Sequence, residues 1–139
     1  MNDIYDHARV KLLTAAFNWP ATDLVLAAFT IPPDFVPTDS VLGDITARYG
    51  GATTVYLSQP ITEKTVSTNG TAQTNHVVIP DVAVGPTVKW FAMCKRGATP
   101  PDAELILYVD EAIELPFVPN GLDLVVSPDW LDNRGWWRP

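Results

Sequence analysis

Two histidines, one cysteine and a short acidic run are the residues of this 139-residue chain whose types could do chemistry. His7 and His76 could serve as general bases, but neither has a His or Cys neighbour in sequence. A general base works only beside a partner at hydrogen-bond distance. His76 next to Asn75 could join an assembled site; by itself it reads as a partly exposed strand residue. Cys94 stands alone, which excludes an internal disulfide framework and a multi-cysteine metal site, and its expected place is inside a strand as a small buried hydrophobe. Asp110, Glu111 and Glu114 offer the oxygens that Ca²⁺ takes, without the spacing or central glycine of an EF-hand loop. They read as solvated charges at a strand end. The nucleophile-elbow, zincin, paired-cysteine and phosphate-loop patterns do not occur. The chain is therefore expected to be no enzyme and to need neither a metal nor a cofactor.

A second group of residues points to binding. The stretch "LDNRGWWRP", residues 131–139, sets Trp136 and Trp137 between Arg134 and Arg138, with Trp130 just before it. Tryptophan and arginine are the residue types most enriched at interface hot spots. If this aromatic tail is extended, successive side chains point to opposite faces, so Trp136 and Trp137 cannot both enter one core. The competing reading is an edge strand that folds back and buries its own indoles. Trp130, Arg134, Trp136, Trp137 and Arg138 are the candidate partner-binding residues.

Composition bounds what such a surface meets. Formal net charge is −7, which disfavours direct contact with nucleic-acid phosphates, because that binding rests on clustered Lys and Arg. The longest uninterrupted apolar run, "LVLAAF" at 24–29, is far too short to span a bilayer, so no membrane association is expected. The opening "MNDIYDHARVKL" lacks the apolar stretch of a secretory leader, and synthesis and folding in a cytoplasm are expected. Hydrophobic residues make up 47%, enough for one globular domain over 1–139 with its own core.

The elements that must position these residues are short. Thirteen prolines and eight glycines punctuate the chain, so long helices are not expected after the first twenty residues. One helix is expected over 3–17, capped by Asn2 or Asp3, with Ile4, Ala8, Leu12 and Ala15 as its apolar stripe and Pro20 ending it. Strands are expected at 22–30, 53–59, 61–68, 87–95, 103–110 and in "LDLVVS". Pro60 forms a bulge or edge, and the proline-rich "IPPDFVPTDS" is a surface excursion with a short turn near "SVLGDI". Asn69-Gly70 has the chemistry of a type I′ hairpin turn pairing 61–68 with "AQTNHVVIP", and a second Asn-Gly lies at Asn120. In 87–95, Val88, Trp90, Ala92 and Cys94 form a core face, and the face with Phe91 and Met93 is expected to be half covered. The sum is a mainly β protein: an antiparallel β-sandwich, jelly-roll-like, with one N-terminal α-helix.

The order of these features resembles a family of small virion proteins of tailed bacteriophages. The resemblance is carried by "YDHARVKLLTAAFNW" (Tyr5 to Trp19) followed by "TDLVLAAFT", then "PDFVPTDSVLGDI" with Phe35, Asp39, Asp44 and Ile45. The threonine-rich hairpin, "VKWFAMCKRG", "AELILYVD" and "NGLDLVVSPD" extend it over roughly 5–130. The chain departs from the pattern at "RYGGATTVYL", in its prolines at 32–37 and in its longer tail. The resemblance implies a non-enzymatic virion structural protein, either capsid decoration (cement) or head fibre, with a collar or tail component as the alternative. It would reside in the virion, act as a homo-oligomer and bind major capsid, collar or tail subunits. A different class stays open: a carbohydrate-binding module of a phage adhesin, with Trp130, Trp136 and Trp137 as a stacking platform.

Overall fold

Two apolar six-residue runs build the centre of the molecule. In the computed structural model, which describes residues 2–14, 16–49, 55–66, 72–112 and 114–127, the elements follow one another in this order. Strand β1 (Asn2–Ile4) leads into helix α1 (Asp6–Leu13), then strand β2 (Leu24–Phe29) and helix α2 (Leu42–Arg48). Next come β3 (Val55–Leu57), β4 (Thr65–Val66), β5 (Ala72–Gln73), β6 (Val77–Ile79) and β7 (Trp90–Lys95). A 3-10 turn at Pro100–Asp102, strand β8 (Glu104–Val109) and strand β9 (Leu124–Val126) complete the chain.

The main sheet has five strands in the order β1-β8-β7-β2-β3, and every neighbouring pair is antiparallel. Pairing β1 with β8 and β2 with β7 nests early strands against late ones, the winding that jelly rolls use. All six residues of β2 and the first five of β7 are buried, so both faces of the sheet are covered at its centre. This corrects the expectation for 87–95: Phe91 and Met93 are as buried as Trp90 and Ala92. A central strand covered on both faces reads as a continuous apolar run rather than as an alternation.

A second, two-stranded sheet, β6 with β9, supplies the opposite layer of the sandwich. Val77, Ile79, Leu124 and Val126 point into the same hydrophobic core as the main sheet, while Val125 faces solvent. The pairing continues past the ladder. Val82 N–H donates to the Leu122 carbonyl, Gly121 N–H donates to the Val82 carbonyl, and Val88 and Phe117 exchange both backbone bonds. Residues 77–88 and 117–126 thus form one irregular two-stranded ribbon. At its bend Gly121 holds φ +83, open to glycine, and the Asn120 side chain accepts the Leu122 N–H at 3.0 Å.

The N-terminus differs from the helix expected over 3–17. Residues 2–4 are a strand, since Asn2, Asp3 and Ile4 pair with Val109, Tyr108 and Leu107, and the Tyr5 N–H continues the pairing to the Ile106 carbonyl. Covering the edge of β8 satisfies a row of backbone groups that a longer helix would leave open. Asp3 does not cap the helix; it accepts the Ile4 N–H and pairs with Arg9 at 3.0 Å. The helix stops at Leu13, where the Ala16 and Phe17 N–H groups turn back to the Lys11 carbonyl and send Phe17 into the core. Of the expected stripe, Ile4 and Ala8 are buried and Leu12 is half-buried; Ala15 lies outside the described residues.

The hairpin around Asn69 has the expected arms, with Thr65 opposite Gln73 and Val66 opposite Ala72. The turn itself, Asn69-Gly70, lies outside the described residues. Pro60 interrupts the edge as expected. Ser58 and Ile61 N–H groups still reach the β2 carbonyls of Leu26 and Leu24, and the Ser58 hydroxyl accepts the Leu26 N–H.

Candidate functional site

The fold keeps the isolated chemistry-bearing residues apart. Cys94 is fully buried in β7, burial pushes its thiol up to about 12, and it donates only to the Ala92 carbonyl at 3.6 Å. The thiolate, the reactive form, is suppressed at neutral pH. His7 lies on α1 with its Nε2 3.6 Å from the Glu104 carboxylate, which also takes the Lys11 ammonium. This carboxylate ties the helix to β8. His76 is exposed just before β6. The acidic run is dispersed: Asp110 accepts the Tyr108 hydroxyl at 2.9 Å, Glu114 accepts the Ser127 N–H at 3.4 Å, and Glu111 is exposed. Among the described residues no group of three His, Cys, Asp or Glu side chains is placed to hold a metal ion, and no helix is long and apolar enough to cross a membrane.

The proline-rich excursion is more than a surface loop. Phe35 packs on Tyr5 and Tyr108 with centroids 5.2 and 5.0 Å away, and Tyr108 leads on to Trp90 (5.1 Å) and Phe29, whose ring stacks on Trp90 at 4.0 Å. Arg48, at the end of α2, pins the loop over this layer. Its Nη1 donates to the buried Asp39 at 2.7 Å, and its Nε and Nη2 donate to Asp34 at 3.1 and 2.8 Å. Helix α2 is itself anchored by Asp44, whose carboxylate accepts the Ser40 and Val41 N–H groups. Those two backbone bonds hold it below the usual carboxylate range. Burial raises the Tyr5 and Tyr108 hydroxyls above their usual range. The arrangement braces one face of the sheet.

A cleft of about 300 Å³ opens between the β3 side of the sheet and the loop before the 3-10 turn, lined by Val25, Leu57, Gln59, Arg96 and Thr99 among others. It lies at the lower limit of small-molecule sites. Its cation, Arg96, faces Asp23 at 3.8 Å with both side chains more than half exposed, a loose pairing. Gly97 forms part of the wall, and a Cβ there would lie 2.6 Å from the backbone of Asp102. The cleft has a shape but no convergent reactive groups.

The feature that stands out as a binding surface is the outer side of the ribbon. Val84 is 79% exposed, Val118 70%, Leu122 66% and Val125 49%, all on residues 77–88 and 117–126. Exposed aliphatics are ordinary one by one; that four fall on this short ribbon makes it the candidate binding surface among the described residues. The candidate residues Trp130, Arg134, Trp136, Trp137 and Arg138 lie outside the described residues. The sequence reading missed the ribbon's apolar outer side because it depends on pairing across some forty residues; the valines themselves gave no local signal. Comparison with protein-family models, with curated proteins and with solved structures finds no match to this chain.

Proposed function

We propose that this chain is a non-enzymatic structural protein of a bacteriophage virion, a capsid decoration (cement) or head-fibre subunit that works by binding other virion proteins. The observation that carries the proposal is the ribbon's apolar outer side, a surface suited to a protein partner. The similarity of "YDHARVKLLTAAFNW" and the features after it to small tailed-phage virion proteins gives that partner its class. The side chains that bind α1, α2 and the loop to the sheet, Glu104 with Lys11 and Arg48 with Asp34 and Asp39, serve to brace the fold, which suits a subunit that assembles. A net charge of −7 suits a particle's exterior better than a lumen packed with DNA.

The test is localisation. Labelled protein mixed with purified particles, imaged by cryo-electron microscopy and cross-linked to its neighbours, should occupy symmetric positions on the head. Symmetric density at the collar or tail would move the protein to the alternative position within the same class. Absence from every particle, together with saturable glycan binding that is lost in Trp136→Ala, would replace the reading with carbohydrate recognition.

A further inference from the structure

The main sheet ends at β1 on one side and at β3 on the other. At the β3 end the Gln59 N–H donates to the Val78 carbonyl at 2.9 Å, joining that edge to the second sheet. No described strand pairs with the outer side of β1. Backbone polar groups alternate in direction along a strand, and the Tyr5 N–H bonds the Ile106 carbonyl of β8. The N–H and C=O of Ile4, one residue earlier, therefore point away from β8, where an incoming strand could pair with them. Both are taken by side chains of the same chain. The Asp3 carboxylate accepts the Ile4 N–H at 2.7 Å, and Arg9 Nη2 donates to the Ile4 carbonyl at 3.3 Å. The same Nη2 donates to the same Asp3 oxygen at 3.0 Å, so one ion pair closes over both groups. The Asp3 and Arg9 side chains are 40% and 53% exposed, and ion pairs in that setting contribute little to stability. What this pair does is occupy the donor and the acceptor that an added strand would need.

We propose that the Asp3–Arg9 pair is a guard on the β1 edge, which keeps a second copy of this chain from adding its own β1 there. The second copy is the occupant excluded because β1 is complementary to itself. In an antiparallel pair about a two-fold axis through Asp3, Ile4 stands opposite the other copy's Asn2, and the outward backbone groups of the two match. Charged side chains placed on an edge are a common means by which sheets avoid such pairing. A subunit that assembles through another surface has to keep its sheet edge from competing. The device therefore suits the virion reading without depending on it.

The test is sedimentation equilibrium with amide hydrogen exchange on the full chain, comparing wild type with Arg9→Ala and with Asp3→Ala/Arg9→Ala. The first variant frees the Ile4 carbonyl, and the second frees both groups. Self-association should tighten in that order, about threefold and then at least about tenfold relative to wild type, as the added backbone hydrogen bonds imply. Charge does not explain such a gain. Arg9→Ala makes an acidic chain more negative, which opposes association, and the double variant leaves the net charge unchanged. In the double variant the Ile4 amide should exchange rapidly in dilute solution and become protected as concentration rises. The Tyr5 amide should stay protected throughout by its bond to Ile106. Variants that sediment like the wild type overturn the inference, as does association that leaves Ile4 exchange independent of concentration. Loss of Tyr5 protection overturns it as well, since the pair would then be holding β1 onto β8 rather than covering its edge. Circular dichroism confirms that each variant is folded; if the double variant is not, Arg9→Ala, at a side chain more than half exposed, carries the test. None of these outcomes decides whether the wild type joins particles, so this inference and the virion reading fail separately.

Discussion

The centre of the main sheet and the outer ribbon are both rich in aliphatic residues, yet they use them in opposite ways. In β2 and β7 apolar side chains on both faces are buried, and the aromatic layer of Phe29, Trp90, Tyr108, Phe35 and Tyr5 closes over one of those faces. In the ribbon the inward residues join the same core, but Val84, Val118, Leu122 and Val125 are exposed. Burial on folding is what stabilises the first region. The second retains apolar surface that the isolated chain does not cover, and such surface can contribute only when something else binds it. Both regions draw on aliphatic residues; position in the pairing pattern separates the buried ones from the exposed ones.

Substitution in the sheet should therefore have the largest effect on stability. Trp90→Ala removes a fully buried ring stacked on Phe29 and should cost about 3–5 kcal/mol, read from urea denaturation of the purified protein. A loss below about 1 kcal/mol would mean that the sheet's centre repacks freely, and the contrast with the ribbon would collapse. Next in size is Arg48→Ala. It leaves the buried Asp39 carboxylate without its donor and frees the loop that carries Phe35, at a cost of about 1–3 kcal/mol. Because the Arg48 side chain is itself one-third exposed, the lower half of that range is expected.

A smaller effect belongs to Asp44, and its sign with pH follows from its environment. The Ser40 and Val41 N–H groups bind the ionised carboxylate, so its folded-state pKa is depressed below the unfolded value of about 3.9. The stabilisation is fully present above that unfolded value and is lost as pH falls through the lower folded-state one. Asp44→Asn should cost about 1 kcal/mol at pH 7, the scale of a helix cap, and should flatten the acid limb of the stability profile. An unchanged acid limb, measured by denaturation at a series of pH values, would show that α2 is held by Leu42 and Ile45 alone.

How much of this was legible depends on how local the cause is. "LVLAAF", "WFAMCK" and "ELILYV" announce strands by composition, and Pro60 and Asn120-Gly121 announce breaks by chemistry, so the mainly β class follows directly. The helix was legible at its middle and misread at both ends. Asn2–Ile4 become a strand only because β8, more than one hundred residues later, offers an open edge. Helix α2 carries Gly43 and two β-branched residues in seven, so its propensity is poor, and burial of Leu42 and Ile45 makes it a helix. Phe35 among prolines read as surface because prolines usually do; its place in the aromatic layer depends on Arg48, Asp34 and Asp39 meeting across the loop. The exposure of Val125 was invisible for the same reason, since pairing Ile79 with Leu124 turns Leu124 and Val126 inward and leaves Val125 outside.

The smallest expected effect on stability is also the sharpest test of the contrast. Leu122→Ser replaces a side chain that is already 66% exposed, beside a glycine bend whose backbone bonds, Gly121 and Asn120 included, do not involve the leucine side chain. Little apolar surface leaves water when the isolated chain folds at this position, so the change in unfolding free energy should stay within about 0.5 kcal/mol, as for surface positions generally. Trp90→Ala, by contrast, should shift the same denaturation curve by several times that amount. If Leu122→Ser destabilises the protein by more than about 1.5 kcal/mol in dilute solution, the side chain is already covered there by the same chain. The ribbon would then belong with the core sheet, and the surface available to a partner would have to be sought elsewhere.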